Sequence, residues 1–526
     1  MAVVITCYGG VGEIGGTKVL LEDGDSRLFL DFGIAFGRQQ EFFNEYLRPR
    51  VARGVLDLLA LDLIPPLQGL YRDDLALPGL WDRFRTHPLY RSLRRGEGRQ
   101  AVDAVLVSHA HLDHNGDIPY LIPSIPVYAS RITAFIARAM QVTGQSGFER
   151  ELTYINPRAP SPTGELKSAP RRAYQARAYT FFDGSLSERA QEFWHDSPSR
   201  SKALGPAPAV RSTGTIDGLS IRWWAVDHSI PGAVGFAVET SAGWIGYTGD
   251  IRFHGTHGSR TEQFAEELAA LEPVALLCEG TNIESDSAMT ESEVVENALS
   301  LVQRARGRLV VADFAPRNLE RLLSFLKVAG KARRMLLAQP KDLHLLQAIA
   351  LADPAAFPDP ISLSDLALYA DPKAAPRHWE RSLRDQWKGR TVAAAQVSLD
   401  PGAYILAFSL WDANDLLDLE GVAGGIYLYS NSRAYDDEQA ADLDRLRNWV
   451  RVAGLTLHGD PDDPARVRLH ASGHAPGPKL VEFVEAVRPK TLIPIHTEHP
   501  EWWAEQLAGT EISIRPPVVG QGMLVG

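Results

Sequence analysis

Apolar and polar residues follow a strand-like pattern near both ends of the chain and a helix-and-strand alternation between them. Residues 3–8, 18–22 and 26–32 form short β-branched and aromatic runs that read as strands, and 102–107 (V-D-A-V-L-V) reads as another. Strand patterning returns at 219–226, 235–240, 244–248 and 274–278. Between 38 and 100 the pattern predicts a helical insertion, with Val51, Val55, Leu58, Leu59 and Leu63 on one apolar face. A Pro- and Arg-rich stretch over 156–210 predicts partly irregular chain. From about 290 to 460 helices at 291–305, 319–329 and 437–453 alternate with strands at 308–313, 334–338, 403–407 and 425–429. That alternation predicts a βα-layered unit with its own core.

At 526 residues the chain exceeds one ordinary core, so two domains, or one with large insertions, are expected. The composition, 45% hydrophobic and 23% charged, is that of a globular protein. The opening M-A-V-V-I-T-C-Y-G-G reads as a strand rather than a signal peptide, and no run is long enough to span a bilayer. Cys7 and Cys278, the only cysteines, sit in strand-like apolar runs and read as core thiols. The expectation is a cytoplasmic, enzyme-sized protein with no membrane association. A net charge of −11 argues against a nonspecific coat for nucleic acid. Basic residues nevertheless cluster: Arg83, Arg85, Arg91, Arg94, Arg95 and Arg99 are opposed only by Glu97. Arg158, Lys167, Arg171, Arg172 and Arg177 are opposed only by Glu165. Each span reads either as a solvated loop or as a basic track for a polyanion beside a cleft.

The densest chemistry is S-H-A-H-L-D-H-N-G-D at 108–117, where His109, His111, Asp113 and His114 follow a predicted strand and precede a helix expected from Gly116. Neutral imidazoles and carboxylates are the usual ligands of zinc and its neighbours. His-x-His-x-Asp-His can serve two metals, the first two histidines on one and the Asp-His pair on the other. V-D-H-S-I-P-G places His228 after a strand, Y-T-G-D-I-R-F places Asp250, and L-I-P-I-H-T-E-H-P places His496. Singly, each reads as a satisfied polar residue; together they complete two coordination shells. The loop G-G-V-G-E-I-G-G lacks the Lys-Ser/Thr of a phosphate-binding loop and precedes a strand, which excludes that reading.

The order G-G-V-G-E-I-G-G, H-A-H-L-D-H, D-H-S-I-P, T-G-D resembles the metallo-β-lactamase fold. L-L-C-E-G-T-N, H-A-S-G-H-A and I-P-I-H-T-E resemble the three added motifs of its β-CASP branch of nucleases, which includes ribonuclease J. The resemblance covers most of the chain. It implies an α/β protein, a four-layer αβ/βα metallo-β-lactamase sandwich with an inserted β-CASP α/β domain. The sandwich would occupy 1–288 and 463–526, the β-CASP domain 289–462, and the stretches 38–100 and 156–210 depart from a minimal core. The chain stops about thirty residues after His496, without the further C-terminal domain many ribonuclease J proteins carry.

Carried over motif by motif, the resemblance assigns His109, His111 and His228 to one Zn²⁺ and Asp113, His114 and His496 to a second, with Asp250 bridging. Manganese is the alternative metal. Asp31 would orient a ligand imidazole, or simply form a turn. Asp113, His474 and Glu279 form the implied catalytic set, His474 as general acid and Glu279 fixing its tautomer. Ser472, Arg171 and Arg172 are candidate contacts to substrate phosphate, whereas His254, His257, His470 and His499 match no ligand position. The implied function is a zinc-dependent ribonuclease, endo- or 5′–3′ exonucleolytic, hydrolysing phosphodiesters by a metal-activated hydroxide. Single-stranded DNA is the alternative polymer, and a small ester or lactone the alternative substrate class on this scaffold. A noncatalytic scaffold would have lost ligands, and none is missing here. Assembly into a homo-oligomer is left open.

Overall fold

A computed structural model describes residues 2–526 except 45, 97, 146, 162–163, 170–171, 211–214 and 435–436. Val3–Gly9, Lys18–Asp23 and Ser26–Phe32 pair antiparallel in sequence, joined by glycine turns. They lie within a seven-stranded sheet that continues through Ala104–Leu106, Val127–Ala129 and Tyr179–Phe181 and is closed on the other side by Gly522–Val525. A six-stranded sheet runs Ser220–Ala225, Val234–Thr240, Gly243–Tyr247, Ala275–Cys278, Thr491–Pro494, Ser513–Ile514. Alternate residues of the first sheet (Val3, Ile5, Cys7; Val19, Leu21; Leu28, Leu30) join Phe236, Val238, Ile245, Tyr247 and Leu277 of the second in one dry core. Helices Gly258–Ala269 and Gly477–Val487 cover the outer face of the six-stranded sheet. Helix Arg131–Thr143 belongs to the core outside the seven-stranded one. The result is the layered α/β sandwich expected. Cys7 and Cys278 are buried free thiols.

A second seven-stranded sheet lies wholly within the alternating section, in the order Thr391–Val392, Leu366–Tyr369, Met335–Ala338, Tyr404–Ala407, Val310–Asp313, Ile426–Tyr429, Thr456–His458. Every pairing in it is parallel. Its strands read V-V-A-D, M-L-L-A, L-A-L-Y and I-Y-L-Y because helices bury both faces. Two buried arginines fasten this unit to the sandwich. Arg321 pairs with Glu291 at 2.8 Å and donates to the carbonyls of Ser430 and Leu469 at 2.8 and 3.0 Å. Arg252, from the sandwich, pairs with Glu320 and donates to the Ser472 carbonyl at 3.0 Å.

Two expectations are corrected. The helical insertion at 38–100 is broken chain whose α-helices within 36–60, Phe36–Gln40 and Leu56–Ala60, have five residues each. Pro49, Pro65, Pro66, Pro78 and Pro88 withhold the donors a longer helix requires. Val55, Leu58, Leu59 and Leu63 are buried, but Val51 is half exposed. The helix expected from Gly116 starts earlier, as the turn Leu112–Asn115, and is followed by a separate 3₁₀ turn, Ile118–Tyr120, around Pro119.

Asp313 ends its strand inside the parallel unit, where its carboxyl accepts hydrogen bonds from Tyr427 (2.7 Å) and Asn431 (2.9 Å). Burial outweighs those bonds and pushes the carboxyl up to about 7. An unfolded chain loses this proton near pH ~4. Between about pH 4 and 7 the folded state therefore holds the extra proton, and stability falls as pH rises through that window. Asp313→Asn removes the effect. Calorimetric melting at several pH values should show the variant gaining on wild type from about pH 4 to 7 and running parallel above it; a constant offset throughout would refute the protonated carboxyl.

Candidate metal centre

Parallel pairing decides where the chemistry gathers. Gly243–Tyr247, Ala275–Cys278 and Thr491–Pro494 are parallel neighbours, so the loops carrying Asp250, Glu279 and His496 leave from one edge of their sheet. In the facing sheet Ser26–Phe32 and Ala104–Leu106 are parallel as well, which sets Asp31 beside the loop bearing His109 to His114. His228 arrives from the end of Ser220–Ala225.

The donor atoms form two groups that share Asp250. In the first, His111 Nδ1 lies 3.0 Å from His109 Nε2 and 3.1 Å from His228 Nε2, with Asp250 Oδ2 at 3.6 and 3.8 Å from His109 and His228. In the second, His496 Nε2 lies 3.3 Å from both His114 Nε2 and Asp113 Oδ2, and Asp250 Oδ2 is 3.2 Å from His114 Nε2. A tetrahedral shell with ligand distances of about 2.0–2.1 Å has edges of roughly 3.3 Å. The spacing fits. Both carboxylate oxygens of Asp250 are buried without a hydrogen-bond partner, a costly arrangement that a cation relieves. The outward nitrogens of the imidazoles are held: His109 Nδ1 by Ser108 Oγ (3.0 Å), His114 Nδ1 by Asp31 (2.6 Å), His228 Nδ1 by the Gly473 carbonyl (2.5 Å), His496 Nδ1 by Thr281 Oγ1 (2.7 Å). Such bonds fix both tautomer and ring orientation. These donors suit a divalent metal ion.

Charge agrees with geometry. Burial lowers His109 and His228 well below the usual range and His111 to about 4, so these rings are neutral and free to ligate. His114 moves the other way: burial opposes its proton, but Asp250, Asp113 and Asp31 together raise it well above the usual range. Asp113 and Asp250, which burial alone would raise, are held low by His114 and His496. Without a metal the cluster keeps a proton on His114; a cation takes that proton's place.

The glycine loop supports this centre rather than a phosphate. A side chain at Gly33 would place Cβ 1.8 Å from the Asp113 carbonyl, and one at Gly15 (φ +84°) would reach within 2.9 Å of Asp113 Cβ. The Gly10 carbonyl accepts a hydrogen bond from His496 N at 2.7 Å. Beneath, buried Lys18 pairs with Asp117 at 2.9 Å and donates to the Gly33 carbonyl.

His474 stands at the rim. Its Nδ1 is 2.8 Å from Glu279 Oε2, its Nε2 is 3.9 Å from Asp250 Oδ2, and Glu279 is fully buried. Burial disfavours its proton, yet Glu279 and then Asp250 raise it to about 9. The Ser472 hydroxyl accepts from His474 N at 3.1 Å and closes the turn that presents the ring. Arg172 is exposed and outside every donor group, while Arg171 lies outside the described residues.

The basic spans are corrected in part. Arg91 pairs with Glu22 (2.6 Å), Arg95 with Asp103 (2.7 Å), Arg99 with Asp217 (2.6 Å) and Arg158 with Glu151 (3.2 Å). Arg177 is buried and donates to the carbonyls of Leu121, Pro119 and Glu151. Part of this charge is thus neutralised, by Asp103 and Glu151 just outside the spans and by Glu22 and Asp217 from remote segments, or used to hold loops. The sequence reading also missed Ser108, Tyr247 and Thr281, which orient Asp31 and the imidazoles. Ser108, Tyr247 and Thr281 all stand inside the motifs above, but only distance shows their role.

The metallo-beta-lactamase superfamily pattern matches residues 78–277, and that of the Zn-dependent metallo-hydrolase RNA specificity domain matches 464–512. The parallel-sheet unit falls between the two. The chain is 25% identical over 522 residues to ribonuclease J of Corynebacterium glutamicum, covering 97% of this chain and 55% of that one. It is 23% identical over 506 residues to ribonuclease J of Mycoplasma pneumoniae and 25% identical over 518 to that of Mycolicibacterium smegmatis, covering 94% of this chain and 68% of each relative. It thus spans about half to two-thirds of their length. A crystal structure of a protein of unknown function from Enterococcus faecalis V583 superimposes over the whole of both chains with a TM-score of 0.65 at 20% identity. Among the described residues no helix is long and apolar enough to cross a membrane. Paired motifs, donor geometry and similarity along nearly all of this chain together make it similar to ribonuclease J proteins and to the metallo-β-lactamase superfamily.

Proposed function

We propose that the chain is a metal-dependent ribonuclease acting in RNA processing or decay, in the cytoplasm, with two zinc or manganese ions. The first would be held by His109, His111 and His228, the second by Asp113, His114 and His496, with Asp250 between them. Bound there, such ions supply Lewis-acid polarisation of the scissile phosphate and a water of lowered pKa. The observation that carries the reading is the Glu279–His474 pair aimed at the shared Asp250. With Nδ1 held by Glu279, the ring presents Nε2 as the proton donor to a departing 3′ oxygen. Glu279 and then Asp250 raise this imidazole to about 9, so it holds the proton that a general acid gives up. Ser472 keeps its hydroxyl hydrogen for a substrate phosphate. A cleft of ≈ 360 Å³ lined by Phe36, Phe43, Leu112, Arg150 and Arg317 opens beside the metal loop, and Arg317 acts electrostatically on both His111 and Asp113. Aromatic rings with scattered cations suit a single strand better than a small ester. RNA is favoured by the RNA specificity match and by the ribonuclease J relatives.

The direct test offers the metal-loaded protein 5′- and 3′-labelled RNA and DNA of one sequence. Cleavage of RNA to 5′-phosphorylated products, faster than of DNA, is expected; intact RNA beside a hydrolysed lactone would replace this reading with a small-molecule hydrolase.

Variants separate the roles. His496→Ala should lose or weaken one metal, with activity following occupancy. His474→Ala should keep its metals and bind RNA normally, yet turn over more slowly by a factor on the order of 10²–10⁴. A nitrophenyl phosphodiester, whose leaving group needs no proton, should recover much of that loss. Metal loss in His474→Ala would make it a ligand instead.

Thr281→Val keeps the shape but removes the bond to His496 Nδ1. Chelator competition should show metal affinity at one position falling about 10–100-fold, the usual cost of losing an outer hydrogen bond. Unchanged affinity for both ions would free His496 from that dependence.

A further inference from the structure

Away from the metal centre, a cavity of ≈ 160 Å³ lies on the seam between the sandwich and the parallel-sheet unit. Arg138 of helix Arg131–Thr143 and Phe193 of helix Glu188–His195 line it from one side. His344 of helix Pro340–Ala352, with His378 and Trp379 of helix His378–Gln386, lines it from the other. Three polar atoms of these residues are buried without any hydrogen-bond partner: His344 Nε2, His378 Nδ1 and Trp379 Nε1. Orphaned buried groups are rare in native interiors, and here three line one cavity.

Arg138 makes the cavity electropositive. Its side chain is 2% exposed, it donates to the Asp196 carbonyl and lies over the Tyr154 ring at 4.7 Å, and it forms no ion pair among the described residues. Asp196 itself is exposed. His344 is 8% exposed and held neutral, at about 4, by burial and then by Arg138, and the Asp196 carboxylate at the cavity's exposed edge is the acid that acts on the guanidinium. Helix His378–Gln386 starts at this wall with no side chain capping its first turn. An uncapped helix N-terminus adds partial positive charge and free N–H groups. The indole N–H of Trp379 can only donate. Hydroxyls and amides (Ser382, Gln347) complete a lining rich in donors.

We propose that this seam cavity binds a compact phosphate group on Arg138, Trp379 Nε1–H and the first turn of helix His378–Gln386. Two sources share that chemistry, inorganic phosphate and a nucleoside monophosphate. The rings of Phe193, His344 and Trp379, with His344 centroids 5.6 Å from Phe193 and 5.1 Å from Trp379, offer a base a surface to stack on. A ligand there touches both units at once and holds their relative position. The mononucleotide source rests on the ribonuclease reading, whose reaction would release such products; the phosphate site does not.

The experiment follows the indole N–H resonance of Trp379 in isotopically labelled, metal-loaded full-length protein, assigned by its loss in Trp379→Phe. Inorganic phosphate and uridine 5′-monophosphate are titrated separately in phosphate-free buffer. A saturable shift with both probes identifies a phosphate site, and tighter binding of the mononucleotide adds the stacked base. Arg138→Gln should weaken the response about tenfold or more, as loss of a charged hydrogen-bond donor does. Should that variant not fold, Trp379→Phe supplies the second measure, in which calorimetry should lose one phosphate-binding event while RNA cleavage continues. No shift with either probe, or an undiminished response in folded Arg138→Gln, would overturn the proposal. A wild-type protein that shifts Trp379 but cuts no RNA would refute the ribonuclease reading and leave the phosphate site standing.

Discussion

A carboxylate with no hydrogen-bond donor, sealed in a protein interior, needs positive charge, and Asp250 is such a group. Nearly every local choice around it follows. His109, His111 and His228 beside it are neutral because burial strips their protons, whereas His114, flanked by three carboxylates, keeps its own. Their outward nitrogens are fixed by a hydroxyl, a carboxylate, a carbonyl and a threonine, so that the inner nitrogens cannot turn away. Strand direction does the remaining work, since parallel neighbours send their loops to one edge.

Much of this centre was readable from the chain, and the reason is local. A histidine or aspartate just past a short apolar run sits at a strand end whatever the rest of the molecule does, so His109, His111, Asp113 and His114 stood out as one motif, and His228, Asp250 and His496 joined them only as a set. Asp31 was half legible: its strand end was visible, its bond to His114 was not. The arginine spans misled because charge was counted along the sequence. Glu22 and Asp217 arrive from remote segments, and Asp103 and Glu151 stand just beyond the ends of the spans. The insertion at 38–100 misled for a different reason. Its apolar spacing is real and its residues are mostly buried, but prolines deny the backbone a continuous helix. The parallel unit announced itself through apolar runs, whereas its strand order depends on crossovers that no local pattern records.

The unit between the two sandwich segments does more than wall off one side. Arg252 and Arg321 bind the carbonyls of Ser472 and Leu469, on either side of His470 in the loop that presents His474. Both arginines are fully buried and both are paired with acids at the join. Breaking one such buried pair costs about 3–5 kcal/mol, so the position of the His474 imidazole is tied to how the two units meet. The two His/Asp groups that share Asp250 are built from sandwich residues, with Arg317 of the other unit acting on His111 and Asp113 through charge.

The centre is also spread along the chain in time. His496 stands 383 residues after the Asp113 it meets. Translation delivers these residues in order, and the strand Thr491–Pro494 emerges only after the first donor group and the whole parallel unit. A growing chain therefore carries the first donor group and an unfinished second one while it is still attached to the message that encodes it. Closure of the second donor group is thus the last event in the making of this centre.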